Sequence, residues 1–349
     1  MFSRKKIFVL LISVIAVAVL LMVGATSALA ADTIVWKSSS FGPASNYSQI
    51  HHDKACEAIT QASGGRMEVK AFVGGSVVPE TKELDAVIEG VIDLCYTCPM
   101  YNLDKWPAAG LISSRPGGLP GQYLIQWFDY GGGYQLMNKM MEGYNAMVMP
   151  GFLSPEPGEV FLHSKRKIET VADLKGLKVR TSGDGGEILA RMGANPIFLP
   201  GGELYEAMQR GTIDAFEYAG LSTNWSMHFN EIADYVIISP VRAPSDPHVW
   251  FVNKDSWEAL PDDLKVLVQN VLARWTQEQQ NFESHYDMEA IQNFKDAGNE
   301  VYNLPKEVED ALSKEAQAFY IEKAAKESSI FGEILDSMNN YGRIAGLWE

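Results

Sequence analysis

The chain is short of positive charge. Its 29 Lys and Arg face 44 Asp and Glu, a formal net charge of −15. Residues 1–30 hold three basic and no acidic residues, so without them the balance is 26 − 44 = −18. A field of that sign repels nucleic acid and anionic membrane surfaces, which excludes both as partners. An organic anion could bind only where a buried arginine reverses the field locally. The spacings that catalysis needs are missing too: there is no G-x-S-x-G, H-E-x-x-H or phosphate loop, and no cysteine and histidine paired at usable spacing. That argues against a hydrolase or transferase. Cysteine is scarce, three in 349 residues. Cys95 and Cys98 form a C-x-x-C with Cys56 as an odd third, but a redox pair wants its first thiol at a helix N-terminus, whereas Cys95 lies in an expected strand that Pro99 ends. A structural disulfide or three buried thiols is expected instead. After Val23 no run is long and apolar enough to span a bilayer, and there is no low-complexity tract or long linker.

The one long apolar run, Ile7 to Val23, follows Arg4, Lys5 and Lys6 and precedes Ala28-Leu29-Ala30, a small-x-small cleavage pattern. Residues 1–30 read as a secretory signal peptide, with an uncleaved anchor as the alternative. Either way the chain is exported to the periplasm. No cysteine sits at the cleavage point, which argues against a lipid anchor.

Residues 174–218 are the most legible stretch. Leu177 to Thr181 reads as a strand, Gly183 to Gly186 as a glycine-rich turn, and Ile188, Leu189 and Met192 as a helix stopped by Gly193. Pro196 to Leu199, Gly201-Gly202, a helix from Glu203 to Arg210 and Thr212 to Glu217 repeat the strand-helix-strand pattern. Alternation of this kind implies a parallel sheet whose crevice lies beyond the carboxyl ends of its strands. Arg180 and Glu217 fall there, which makes them the candidate ligand residues.

The same plan occurs earlier: a strand from Met67 to Val73, Gly74-Gly75, a helix from Pro79 to Glu89, and a strand led by Gly90-Val91-Ile92-Asp93. Each copy ends in Gly-x-Ile-Asp. The duplication fits two similar α/β lobes facing each other across a hinge. Tyr96 and Tyr101 occupy the first lobe's counterpart of Glu217, with cleft lining and core packing both open for them. The loop from Ser38 to Tyr47 is expected at the cleft, and Trp225 and His228 at its border. His51, His52 and Cys56 share a helix, where adjacent histidines project about 100° apart, so a solvated face is expected rather than a metal site. The segment 115–133 reads as irregular. Chain crossings between lobes are expected near 151–159 and 239–247. A helix from Pro261 to Gly298, with Leu264, Leu267, Val271, Trp275, Phe282, Tyr286 and Phe294 at helical intervals, is on the order of 50 Å long, more than one lobe needs.

Five pieces carry a family resemblance: DLKGLKVRT, MGANP, ELYEAMQRGTIDAFE, FVNKDSW and LPDD, in that order between Thr170 and Asp263. They resemble the substrate-binding proteins of tripartite ATP-independent periplasmic (TRAP) transporters, the DctP-like family. The resemblance implies a two-lobed periplasmic-binding-protein-like α/β fold, with residues 31–154 and 241–282 in one lobe, 155–240 and 283–349 in the other, and the long helix spanning both. It implies a small organic acid as ligand, a 2-oxo or 2-hydroxy acid among the candidates, and delivery to small and large membrane subunits. The arginine after LKGLKV, Arg180, would bind the carboxylate. In the 2-oxo-acid branch a metal ion sits beside the ligand. Its ligands map onto Glu159, where that branch has glutamine, onto Glu217, and onto Tyr218, where that branch has tryptophan. Calcium or sodium is the expected ion, and a homodimer is left open. A receptor that presents its ligand to a membrane sensor kinase is the competing function, and an exported enzyme the weaker one.

Overall fold

The computed structural model describes residues 32–348, so the expected signal peptide lies outside the described residues. The first sheet is built from β1 (Ile34–Ser40), β2 (Met67–Phe72), β3 (Leu94–Thr97), β4 (Ala146–Met147), β5 (Leu153–Glu156) and a later strand, β11 (Asp246–Asn253). Its order is β2-β1-β3-β11-β4, with β5 also paired to β11. The second sheet holds β6 (Val160–Ser164), β7 (Lys178–Arg180), β8 (Asn195–Ile197), β9 (Ala215–Phe216), β10 (Tyr235–Ile238) and β12 (Glu300–Asn303), in the order β12-β10-β6-β9-β7-β8. Strands β3, β6 and β11 are buried along their whole length, as strands covered on both faces must be.

The duplication extends further than the strand-helix-strand pattern shows. In the first sheet β1 lies between β2 and β3, parallel to both, and in the second β7 lies between β8 and β9 in the same way. The two Gly-x-Ile-Asp signatures do the same work. Asp93 Oδ2 accepts from the Lys37 amide at 2.8 Å while its own amide donates to Lys37 O; Asp214 Oδ2 accepts from the Lys178 amide at 3.2 Å while its own amide donates to Lys178 O. Each aspartate thus clasps the middle strand of its unit at the point where the third strand begins.

The helix Asp262–Asp296 runs about 52 Å at 1.5 Å per residue. Its first half puts Leu264, Val268 and Leu272 into the core of the first sheet, and its last turns put Ala290 and Phe294 into that of the second. Between these come Thr276, Gln279 and Glu283, buried and polar. The buried stripe shares Leu264 and Phe294 with the expected one, but between them it runs one residue out of step, since Leu267, Val271 and Trp275 are only partly buried and Tyr286 is exposed. The polar middle of the true stripe hides it from an apolar periodicity.

Other expectations are corrected by packing. The segment read as irregular contains the helix Gly121–Tyr130, whose buried Leu124, Trp127 and Phe128 face the core. The glycines 183–186 are not a turn but the first turn of the helix Gly183–Arg191. His51 and His52 are buried, not solvated: His51 meets the rings of Trp275 and Phe282, and His52 stacks on Trp250 at 5.4 Å with its Nε2 bonded to Ser38 Oγ. The last helix, Ser329–Ile344, assigned above to the second lobe with the rest of 283–349, returns to the first and packs on Gly121–Tyr130 and Gly133–Met140. Trp127 Nε1 donates to Ser337 Oγ there at 3.0 Å. The three cysteines are free and buried. Among the described residues no helix is long and apolar enough to cross a membrane. The architecture is a two-lobed α/β fold with a cleft between the lobes and one helix spanning both.

Candidate functional site

The carboxyl ends of both parallel units point at one cavity. Phe41 and Asn46, from the loop after β1, and Cys98, Met100 and Tyr101, after β3, line it from the first lobe. Glu159, Glu217, Tyr218 and Ala219 line it from the second, and Asp246 and His248 of β11 close its back. The lobes touch across its mouth: Asn46 Nδ2 donates to Tyr218 Oη at 2.9 Å, Ser226 Oγ to Ser45 O at 3.2 Å, and the Tyr101 and Phe198 rings meet edge-on.

Arg180, the last residue of β7, is 2% exposed. Its Nε donates to Leu199 O and its Nη1 to Glu217 O, both at 2.8 Å, and its guanidinium lies over the Phe198 and Tyr218 rings. Nη2 makes no hydrogen bond among the described residues. A symmetric grip on a carboxylate through both terminal nitrogens would require Nη1 to leave Glu217. Glu217 follows β9 and accepts from the Ser182 amide at 2.5 Å and from Ser182 Oγ at 3.0 Å.

A second arginine, unnoticed in the sequence, completes the network. Arg242, wholly buried in the crossing between β10 and β11, sets Nη2 3.2 Å from Glu217 Oε1 and 3.5 Å from Glu159 Oε2, and Nη1 donates to Ser114 O. A side chain at Gly185 would put its Cβ 2.9 Å from that guanidinium, so the glycine in the helix's first turn makes room for Arg242. Gly201 serves Tyr218 in the same way, at 2.5 Å from its hydroxyl.

The two acids are held differently. Burial would raise the Glu217 carboxyl, but Arg242, Arg180 and the Ser182 amide hold it down at about 2. Glu159, by contrast, has Ser114 Oγ on Oε1 at 2.8 Å and no hydrogen-bond partner on Oε2. Burial first, then the charges of Glu217 and Asp246, push it well above the ordinary carboxyl range. The two carboxyls are thus pushed in opposite directions, as expected of two acids sharing a dry site.

Tyr101 and Tyr218 face the cavity, and Tyr218 O also accepts from Asn224 Nδ2 at 2.6 Å. Tyr96 does not face it: the ring packs between His248 and Trp250 and its hydroxyl donates to Gln279 Oε1 at 2.7 Å. Trp225 packs on Phe294 and His228 is exposed at a left-handed turn, so neither borders the cavity. Besides Arg242, sequence reasoning missed Ser114, Asp246 and His248. The signal available for Arg242 was a lone arginine flanked by proline and small residues in a crossing.

Residues 39–327 match the DctP family, bacterial extracellular solute-binding protein family 7. A monocarboxylate 2-oxoacid-binding periplasmic protein of Nostoc sp. is 27% identical over 314 residues, 90% of this chain and 85% of that protein. A TRAP periplasmic solute-binding protein of Colwellia psychrerythraea, solved with bound calcium and pyruvate, is 27% identical with a TM-score of 0.83, covering 91% of this chain and 96% of its own. One from Pseudoalteromonas atlantica, with bound sodium and pyruvate, is 25% identical with a TM-score of 0.82 and the same coverage. With the duplicated lobes and the charged cleft already described, these matches settle the family: the chain belongs to the DctP family of bacterial extracellular solute-binding proteins, those of TRAP transporters.

Proposed function

We propose that this protein captures a small organic acid in the periplasm, a 2-oxo or 2-hydroxy monocarboxylate in class, and delivers it to the small and large membrane subunits of a TRAP transporter. The observation that carries the reading is the buried Arg180–Glu217–Arg242–Glu159 network, whose two acids line a cavity that both lobes share. Arg180 Nη2 is the anchor for the ligand carboxylate, and Tyr101 and Tyr218 shape the wall around it. The cavity is small and its aromatic walls suit a short acid rather than a sugar or peptide. The relatives solved with pyruvate support the same class.

The residues fit a hard cation. Glu159 Oε2 is buried without a hydrogen-bond partner, Glu217 faces the same cavity, and both offer only oxygen, the donor set that sodium and calcium take. Glu159, Glu217 and the Tyr218 carbonyl would hold it. A cation there would take the place of the proton that burial favours on Glu159 and bridge both carboxylates to the ligand.

The site binds without transforming. Cys98 is its one thiol, and burial pushes it up to about 12, so it is no nucleophile at neutral pH. Residues 31–154 with 241–282 and residues 155–240 with the chain up to the end of Lys306–Ala324 form the two bodies that part at the crossings near Ser154 and Ser239. Mass spectrometry of the small molecule released from protein purified without refolding tests the reading. A carboxylic acid of a few carbons is expected; a neutral or cationic molecule would overturn it. A homodimer, as described for the Bordetella bronchiseptica relative with calcium and picolinate, is read out by the mass in solution.

A further inference from the structure

The back wall of the cavity holds a second group of donors that the acid-binding network does not use. Cys98 follows β3, and Asp246 and His248 are the first and third residues of β11, the antiparallel neighbour of β3. One donor atom from each, Sγ, a carboxylate oxygen and an imidazole nitrogen, lie within 4.8 Å of one another, and all three residues are buried. Alternation along β11 points both Asp246 and His248 to the same face, and pairing across the sheet brings Cys98 to them.

The imidazole is already set for coordination. Glu156 holds Nδ1 from behind, with Ser48 Oγ 3.3 Å from the same nitrogen. Nε2 is left facing Asp246 Oδ2 at 3.5 Å, too long for a good hydrogen bond. A carboxylate on one ring nitrogen fixes the tautomer and aims the other, the arrangement that supports histidine ligands in metal sites. Zinc bonds of about 2.0 to 2.3 Å place tetrahedral donors roughly 3.3 to 3.8 Å apart, so the Nε2 to Oδ2 spacing already fits and Cys98 needs only a small approach. Ser114 Oγ donates to Asp246 Oδ1 at 2.6 Å, holding the carboxylate with its other oxygen free.

We propose that Cys98, Asp246 and His248 form a metal site separate from the Glu159–Glu217 pair, one that takes a borderline-soft divalent ion of the zinc type. Sulfur and imidazole donors disfavour sodium and calcium and favour such an ion. On binding, the Cys98 thiol and the His248 imidazolium, which Cys98, Glu156 and Asp246 favour, each give a proton to solvent, and the thiolate sulfur and Nε2 bond to the metal. Thiolate and carboxylate then balance the two positive charges, so the buried unit carries no net charge. With three protein donors the ion keeps a position open to the cavity, where a water or a donor atom of a bound acid completes it. The protein would then hold a chelating acid through a metal at its back wall as well as through Arg180.

Cobalt(II) is the probe. Titrated into chelator-stripped protein, it should give a thiolate-to-cobalt charge-transfer band in the near ultraviolet that saturates at one equivalent. Zinc should bleach the band and excess calcium should leave it. The band should vanish in Cys98→Ser and survive in Cys56→Ser, whose thiol also lies near a histidine, and in Glu159→Gln. X-ray absorption of the zinc-loaded wild type gives the same answer without a variant, through one sulfur at about 2.3 Å. No band in the wild type, a band that persists in Cys98→Ser, bleaching by calcium, or a zinc shell without sulfur would each overturn the proposal.

Discussion

His163 makes the protein sensitive to acid in a way that can be calculated. It lies on β6, stacked on Phe216 at 5.0 Å and walled by Phe229 and Phe294, and neither ring nitrogen has a hydrogen-bond partner. Burial without a partner lowers its pKa from 6.5 to about 3. Below pH 6.5 the unfolded chain takes up a proton here and the folded chain does not. Stability is therefore whole above pH 6.5, is lost as pH falls through that value, and stops falling near pH 3. At about 1.4 kcal/mol per unit, the drop to about 3 gives a total loss of about 5 kcal/mol, and about 2 kcal/mol of it comes between pH 7.5 and 5. Other groups pull the opposite way. His52, whose neighbours Cys56 and Asp53 outweigh burial and raise it, adds stability at low pH that is lost as pH rises through its folded pKa. The test is therefore a double difference: urea unfolding of wild type and His163→Leu at pH 7.5 and pH 5. Leucine nearly conserves volume and strands no polar atom, so the variant should lose about 2 kcal/mol less than wild type over that interval. Equal losses in the two proteins would refute the buried neutral imidazole.

Five further outcomes are expected. Arg180→Ala should weaken acid binding by about 2 to 5 kcal/mol, roughly 30-fold to several thousand-fold, with Arg180→Lys recovering only part; calorimetry showing affinity within about threefold of wild type in a folded variant would mean another group holds the carboxylate. Arg242→Met removes a charge shared by Glu159 and Glu217 and should cost about 3 to 5 kcal/mol in a denaturant titration, so an unchanged midpoint would contradict the bridging role. All three thiols should resist a disulfide reagent in the native protein and react fully once it is unfolded; a Cys95–Cys98 disulfide in purified material would contradict their burial as free thiols. Chelation and desalting should lower acid affinity, and scattering should show a smaller radius of gyration with ligand than without; no change in either would remove the cation bridge and the hinge, respectively.

What was legible in the sequence was whatever repeats or alternates. The βαβαβ unit occurs twice, so the two lobes could be read from Gly-x-Ile-Asp and the paired glycines, and the carboxyl-end rule then led to Arg180 and Glu217. The length of the helix Asp262–Asp296 could be read, but its buried face could not, because Gln279 and Glu283 sit in the stripe where leucines are sought. His51 and His52 were misjudged for a related reason: two adjacent polar side chains on a helix look solvated unless two different walls, Trp250 on one side and Phe282 on the other, are known to receive them.

The residues that escaped the sequence share one physical cause. Arg242, Asp246 and His248 are polar, buried, and placed in a crossing or at a strand start, Ser114 is buried in the loop before the helix Gly121–Tyr130, and their partners stand far along the chain: Arg242 reaches Glu159 and Ser114, and His248 reaches Ser48. A charge can be buried only where opposite charges and hydrogen bonds converge on it, and in a two-lobed protein such convergence occurs where segments from both lobes meet. Those segments are the crossings, which carry no period to be recognised. The cleft is thus the part of the fold least written in local pattern and most dependent on which distant residues the lobes bring together. A lone arginine among Pro, Ala and Ser in a crossing is its trace in the sequence: in an acidic chain such a residue has little reason to be there unless acids from elsewhere surround it.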